Sequence, residues 1–324
     1  MQTCDTLLHA GVLLTQDDDR RVLENAALAI DGGRIVALGY SQDVTAAWQA
    51  REILDLSGML VMPGLVNAHT HAAMTFLRGL ADDMPLMDWL QQKIFPVEQG
   101  LTPDLVRLGS LLGFAEMLRT GTTSCVDMYI FESAVLEAAD KAGLRCLAGE
   151  GVFNFPSACC PDADAALACT REMAQRWAGH DRLHVAVMPH SVYTTTAAQL
   201  TACRELADEL GLPLHIHLAE TRQEMALSLE QHGLRPVAHA DRLGLLRPGT
   251  ILAHVVDVDA DEIALLARRG VSVVHNPSSN MKLASGVAPV PAMLDAGVRL
   301  ALGSDGAASN NRLNMFTEMG RAAL

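Results

Sequence analysis

The feature that most constrains this chain is a repeated unit: a helical pattern, a glycine, then a short apolar strand. It occurs at Gly121 before residues 122–127, at Gly143 before 144–148, at Gly211 before 212–217, at Gly270 before 271–275 and at Gly297 before 298–302. Glycine supplies the left-handed residue that ends a helix and turns the chain back. Strands at 65–71, 183–188 and 250–254 bring the number to eight. Short, continuously apolar strands alternating with helices predict a parallel sheet covered on its outer face. One of those helices is expected over 103–118, with Thr102 as N-cap and Pro103 in its first turn. Eight units in about 260 residues fit a (β/α)8 barrel of the TIM type. A doubly wound sheet is the alternative, but no Gly-x-Gly-x-x-Gly turn follows any strand.

Residues 1–60 differ. Segments 7–15, 26–31 and 34–39 alternate or run apolar between Asp/Gly turns, with Asp31-Gly32 as a hairpin turn. The expectation is an α/β protein with a small N-terminal β domain over 1–60 and a barrel over 61–324.

Composition narrows the function. Aromatics are 4% of the residues, the formal charge is −14 and no Lys/Arg-rich block occurs, which argues against nucleic acid as a partner. The first twenty residues carry the acidic run Asp17 to Asp19 in place of a basic segment and an apolar stretch, so no secretory signal is read. No apolar run approaches the roughly 20 residues that span a bilayer. A cytoplasmic protein is expected. Seven cysteines, an odd number, fit reduced thiols better than a disulfide framework. The adjacent Cys159 and Cys160 lack the paired spacing of a zinc knuckle and read as a loop detail.

Barrel enzymes carry their chemistry at the C-terminal ends of the strands. The first strand here ends in His69 and His71, which share a face because alternate residues of a strand point the same way. The fourth ends in His190, the fifth in His217 followed by Glu220, the sixth in His254, the seventh in His275-Asn276 and the eighth in Asp305. His215 lies a layer deeper than His217 and reads as a packed barrel histidine. Each member has an ordinary alternative: Asp305 as a helix N-cap, His254 or His275 as a core histidine, Glu220 as a loop carboxylate. It is their convergence that points to a site. Imidazoles and carboxylates meeting at one spot are groups able to hold a divalent metal.

The chain resembles the amidohydrolase superfamily, in the adenosine-type branch that holds 5'-methylthioadenosine/S-adenosylhomocysteine deaminases and the triazine-degrading aminohydrolases and chlorohydrolases. The matching segments are Pro63-Gly-Leu-Val-Asn-Ala-His-Thr-His71, Met84-Pro-Leu-Met-Asp-Trp-Leu90, Phe95-Pro-Val-Glu98, Pro189-His190, His215-Ile-His-Leu-Ala-Glu220 and Gly303-Ser-Asp-Gly-Ala-Ala-Ser-Asn-Asn311. The resemblance implies one divalent metal, zinc or in some relatives iron, on His69, His71, His217 and Asp305. Two-metal relatives use a carboxylated lysine at the end of strand four, and 184–190 has no lysine. It further implies that Asp305 and His254 hold the attacking water and take its proton, the metal supplying acidity. Glu220 would protonate the ring nitrogen beside the amino-bearing carbon and later the departing ammonia.

Among the substrate contacts so implied, Glu98 holds the ribose hydroxyls, Trp89 walls the pocket, and His190 and Ser309 touch the substrate. Trp89 also sits at helical spacing from Leu86 and Leu90, as ordinary core would. The implied reaction is hydrolytic deamination of a 6-aminopurine nucleoside, a small-molecule substrate, by a homo-oligomer. Another heterocycle, such as an aminotriazine or guanine, and an inactive metal-binding fragment are the alternatives. Segment 148–156 has no arginine of the kind some relatives use to read the homocysteine carboxylate. Members of the branch continue beyond the helix after strand eight, so the resemblance implies C-terminal truncation at Leu324 and greater stability for an extended chain.

Overall fold

A computed structural model describes residues 1–324, which form two compact units, Met1–Gly64 and Leu65–Leu324. The first unit is a four-stranded sheet of β1 (Gln2–Leu14), β2 (Val22–Asp31), β3 (Arg34–Tyr40) and β4 (Trp48–Val61), in the order β3-β2-β1-β4. β2 runs antiparallel to both β1 and β3, whereas β4 runs parallel to β1. The β2–β3 hairpin turns on Gly32 and Gly33, with Asp31 paired to Arg34. Their φ values of 54° and 74° are the two left-handed residues a type I′ turn demands. The turn thus sits one residue later than Asp31-Gly32, and β4 and the short helix Ser41–Ala47 before it are additions to the sequence reading.

The second unit is the (β/α)8 barrel. Its strands are β5 (Leu65–Thr70), β6 (Thr122–Tyr129), β7 (Arg145–Val152), β8 (Leu183–Val185), β9 (Met188–Pro189), β10 (Leu214–Leu218), β11 (Thr250–His254), β12 (Ser272–His275) and β13 (Arg299–Leu302). All pairings are parallel, along β5-β6-β7-β8 and β10-β11-β12-β13, with β9 on β7. The fourth barrel strand is therefore in two pieces, β8 and β9, interrupted at Ala186-Val187. The arcs join through a bridge between Val187 and Leu214 and, at the opposite seam, through the Asp305 N–H donating to the His69 carbonyl at 2.9 Å.

Helices return the chain between strands. The helix Pro103–Arg119 starts where Thr102 accepts from the Leu105 N–H at 3.3 Å. Three others end on Gly143, Gly211 and Gly270, each in the left-handed conformation. Ile216, Leu252 and Val273 face outward and pack against Leu200, Val237 and Leu266 of the helix layer, Val126, Met128, Ala186 and Met188 pack together on the barrel strands, and the polar strand ends line a cavity. No helix is long and apolar enough to cross a membrane.

Candidate metal centre and active site

The strand ends converge. His69 lies at the end of β5 and His71 just beyond it; His217 is near the end of β10, His254 closes β11 and Asp305 follows β13. Ligating atoms of His69, His217, His254 and Asp305 all lie within 4.8 Å of one another. His71 joins this group through Asp305, its Nε2 standing 3.0 Å from Oδ1; His69 Nε2 is 3.3 Å from the same oxygen. Ring centroids of His69, His71 and His217 are 4.8 to 5.4 Å apart.

Each imidazole is held by its Nδ1, which leaves Nε2 for the centre. His71 Nδ1 donates to the Met128 carbonyl, and His217 Nδ1 donates to the His190 carbonyl at 2.7 Å. His69 Nδ1 meets His215 Nε2 at 3.2 Å, and His254 Nδ1 meets Asn280 Oδ1 at 2.8 Å. An engaged Nδ1–H fixes the tautomer whose Nε2 lone pair binds a metal. Asp305 is prepared in the same way: Oδ2 accepts from Ser279 at 2.6 Å and Ser309 at 2.8 Å, and Oδ1 faces the histidines.

The backbone stores strain at these positions. Asp305 and His254 have φ of 61° and 74°, and the β-branched Val255 after it has 46°. Non-glycine residues in this region cost energy and persist where surrounding contacts over-determine them. Here the Val255 N–H is tied to Leu218 O and the Asp305 N–H to His69 O. Gly303 is required by crowding: a Cβ there would stand 2.4 Å from Asn276 Oδ1 and 2.9 Å from the His69 backbone.

Electrostatics agree with a cation-binding centre. Burial holds His69 down to about 4 and His217 well below its usual range, so both stay neutral at pH 7. Burial alone would raise Asp305, but the His69 and His71 imidazoles beside it hold its carboxyl well below the usual range. Burial also opposes charge on His71, yet the Asp305 carboxylate outweighs it and lifts that imidazole to about 9. Fully buried His69 Nε2 has no hydrogen-bond partner. An orphaned nitrogen, the two neutral imidazoles of His69 and His217 and an ionised carboxylate fit a divalent metal, which would displace the proton on His71.

Above the centre lies a cavity whose walls include Trp89, Glu98, His190, Glu220 and His254. Glu220 is buried; Ser285 donates to its Oε1 at 2.9 Å and its Oε2 stands 3.8 Å from His254 Nε2. Burial raises its pKa. Glu98 is pushed up to about 7 by burial, against the pull of the Tyr129 hydroxyl and His71. Trp89 is 4% exposed and lines the cavity, so core packing and pocket wall are one role. Ser309 is placed otherwise than expected: its hydroxyl is spent on Asp305 and on Gly306 O, and it does not line the cavity. His275 also stays outside it.

Several contributors escaped the sequence. His215 orients His69 rather than merely packing, Ser279 and Asn280 hold Asp305 and His254, and Ser285 holds Glu220. Buried Glu224 accepts from the Ala219 and Glu220 N–H groups at 2.9 and 2.7 Å and so shapes the turn that presents Glu220. The signal for Ser279 and Asn280 is the polar run Asn276-Pro-Ser-Ser-Asn280 directly after the seventh barrel strand.

A (β/α)8 barrel with histidines and an aspartate gathered at its strand ends defines a metal-dependent hydrolase. Residues 60–324 match the Amidohydrolase family, and the chain belongs to it; it is a hydrolase acting on carbon–nitrogen bonds. It is similar to the 5-methylthioadenosine/S-adenosylhomocysteine deaminase of Desulfovibrio desulfuricans, 64% identical over all of this chain and 74% of that protein. The corresponding deaminase of Nitratidesulfovibrio vulgaris is 60% identical over 99% of this chain and 73% of its own length. A zinc-bound adenosine deaminase from Xanthomonas campestris superposes with a TM-score of 0.97 at 43% identity, over 99% of this chain and 74% of that one.

Proposed function

We propose that this chain is a hydrolytic deaminase of 6-aminopurine nucleosides, acting on 5'-methylthioadenosine and S-adenosylhomocysteine. The observation that carries the reading is Glu220, a buried carboxyl raised in pKa and set between Ser285 and His254 on the wall of the cavity above the metal centre. Protonating a ring nitrogen needs an acid that keeps its proton beside the point of attack, and this environment supplies one. The similarity to proteins named as deaminases of these nucleosides supports it.

His69, His71, His217 and Asp305 would hold one divalent metal, with zinc favoured by the zinc-bound relative. When bound it supplies the Lewis acidity that makes water nucleophilic near neutral pH. His254 and Asp305 orient the attacking water and accept its proton, His254 being steadied by Asn280 and Asp305 by Ser279 and Ser309. Glu220 gives its proton to the ring nitrogen next to the amino-bearing carbon, then relays the proton of the added hydroxyl to the amino group, which leaves as ammonia, and is itself restored by the proton that His254 and Asp305 took from water. Trp89 and His190 line the ring site, and Glu98 accepts from the two ribose hydroxyls, as a carboxylate can from a diol.

The test is ammonia release by metal-loaded protein with adenosine, methylthioadenosine, adenosylhomocysteine and guanine, and chloride release with a chlorotriazine. Ammonia from the adenine nucleosides alone supports the reading. Turnover of only guanine or the triazine replaces it with a hydrolase of another ring, and no turnover at all leaves a metal-binding fragment.

A further inference from the structure

Outside this centre, three of the seven cysteines meet a buried carboxylate. Glu150, at the end of β7, is fully buried; its Oε1 accepts from the Phe131 N–H at 3.1 Å and its Oε2 from the Glu132 N–H at 3.0 Å. The thiols of Cys159 and Cys160 and the Glu150 carboxylate lie within 4.8 Å of one another. Cys169, on the helix Ala163–Arg176, brings its Sγ to 4.0 Å from Glu150 Oε2. The adjacent cysteines are presented by a tight turn in which the Ser157 N–H donates to Cys160 O at 2.9 Å and the Cys160 N–H donates to Ser157 Oγ at 2.9 Å.

We propose that Cys159, Cys160, Cys169 and Glu150 form a second metal site, distinct from the barrel centre, that takes a soft divalent cation of the zinc class. Three sulfurs and one oxygen are a tetrahedral ligand set. Bonds of roughly 2.3 Å to sulfur and 2.0–2.2 Å to oxygen bring ligand atoms under about 4 Å of one another, a closure from the 4.8 Å that now spans Glu150, Cys159 and Cys160 and the 4.0 Å between Cys169 and Glu150. Thiolates select soft ions over magnesium or calcium.

Charge argues the same way. Glu150 is fully buried and makes no salt bridge, and a dication would supply the missing countercharge. A disulfide would use two of the three sulfurs and leave Glu150 buried without a countercharge. Cys159 and Cys169 are half-buried, so an ion can reach them from solvent. The site would clamp residues 153–160 to the barrel, a segment in which Phe153 lines the active cavity and Phe155, Ser157 and Ala158 line the space beside it.

The experiment is a cadmium titration of the full chain, reduced and stripped of metal, followed by the ultraviolet thiolate-to-cadmium charge-transfer band. The barrel centre has no sulfur and is silent in this band, so a failed deaminase assay and a failed second site are read separately. The expected result is a band saturating with one cadmium per chain, weakened at least about tenfold in affinity by Cys159→Ser and by Cys169→Ser and unchanged by Cys4→Ser. Circular dichroism of each variant checks that it folds. The proposal is overturned by the absence of the band, by a band that neither cluster variant affects, or by a disulfide within the cluster that excludes metal from freshly isolated protein.

Discussion

Glu220 and Glu98 are both buried acids with raised pKa, yet they face different demands. With Glu220 as the proposed proton donor, Glu220→Gln should lower kcat by roughly 10²–10⁴-fold with KM and metal content little changed; steady-state kinetics and metal analysis check this. Glu98, the proposed hydrogen-bond acceptor for the ribose hydroxyls, works best ionised. Its pKa of about 7 therefore predicts that kcat/KM for nucleosides rises as pH increases through 7. Glu98→Gln should flatten that limb, and Glu98→Ala should also erase the preference for a nucleoside over its bare base. The same shift has a stability consequence. The folded pKa lies above the ordinary 4.5, so Glu98 favours the fold below pH 4.5, and that contribution is lost as pH rises through 7. Across this window wild type should lose about 3 kcal/mol relative to Glu98→Gln, measured by denaturant unfolding at several pH values. The convergence of strand-end histidines and acids was legible in the sequence. Ser279, Asn280, Ser285 and Glu224 were not, because a hydrogen bond across the barrel mouth leaves no spacing signature along the chain.

Among the elements, the barrel strands were legible and β4 was not. A strand buried on both sides writes itself as an apolar run, as in β11 and β12. β4 reads Trp-Gln-Ala-Arg-Glu-Ile-Leu-Asp-Leu-Ser-Gly-Met-Leu-Val, without alternation, and is mostly exposed. It exists because β1 offers a parallel edge, which is a tertiary fact. The fourth barrel strand divides into β8 and β9 for a related reason: the Ala186 N–H donates to Ala148 O on β7 and the Val187 N–H to Pro213 O just before β10. At the seam between β13 and β5, Gly303 is irreplaceable, since a methyl group would strike Asn276 and the His69 backbone. Gly303→Ala should cost about 1–3 kcal/mol and weaken the metal through His69, seen as a lower urea midpoint and a larger dissociation constant for zinc.

At the scale of the molecule, the metal ties together strands that are far apart in sequence, its expected ligands coming from β5, β10 and the turn after β13. Chelation should therefore destabilise the barrel as well as silence it. Zinc at a hundred times its dissociation constant should restore about 2.7 kcal/mol, read as a rise in unfolding temperature that Asp305→Ala abolishes. The chain's own order determined the barrel, because eight apolar strands separated by helices have few ways to bury both faces, and it determined the chemistry, because polar groups recur where those strands end. Only the tertiary structure decided how each group is aimed: which nitrogen of each histidine faces inward, that Ser309 serves Asp305, and that Cys159, Cys160 and Cys169 stand around Glu150. Periodicity records which face a residue occupies, whereas the partner that fixes its rotamer and tautomer comes from another part of the chain, 27 residues away for His217 and 146 for His69.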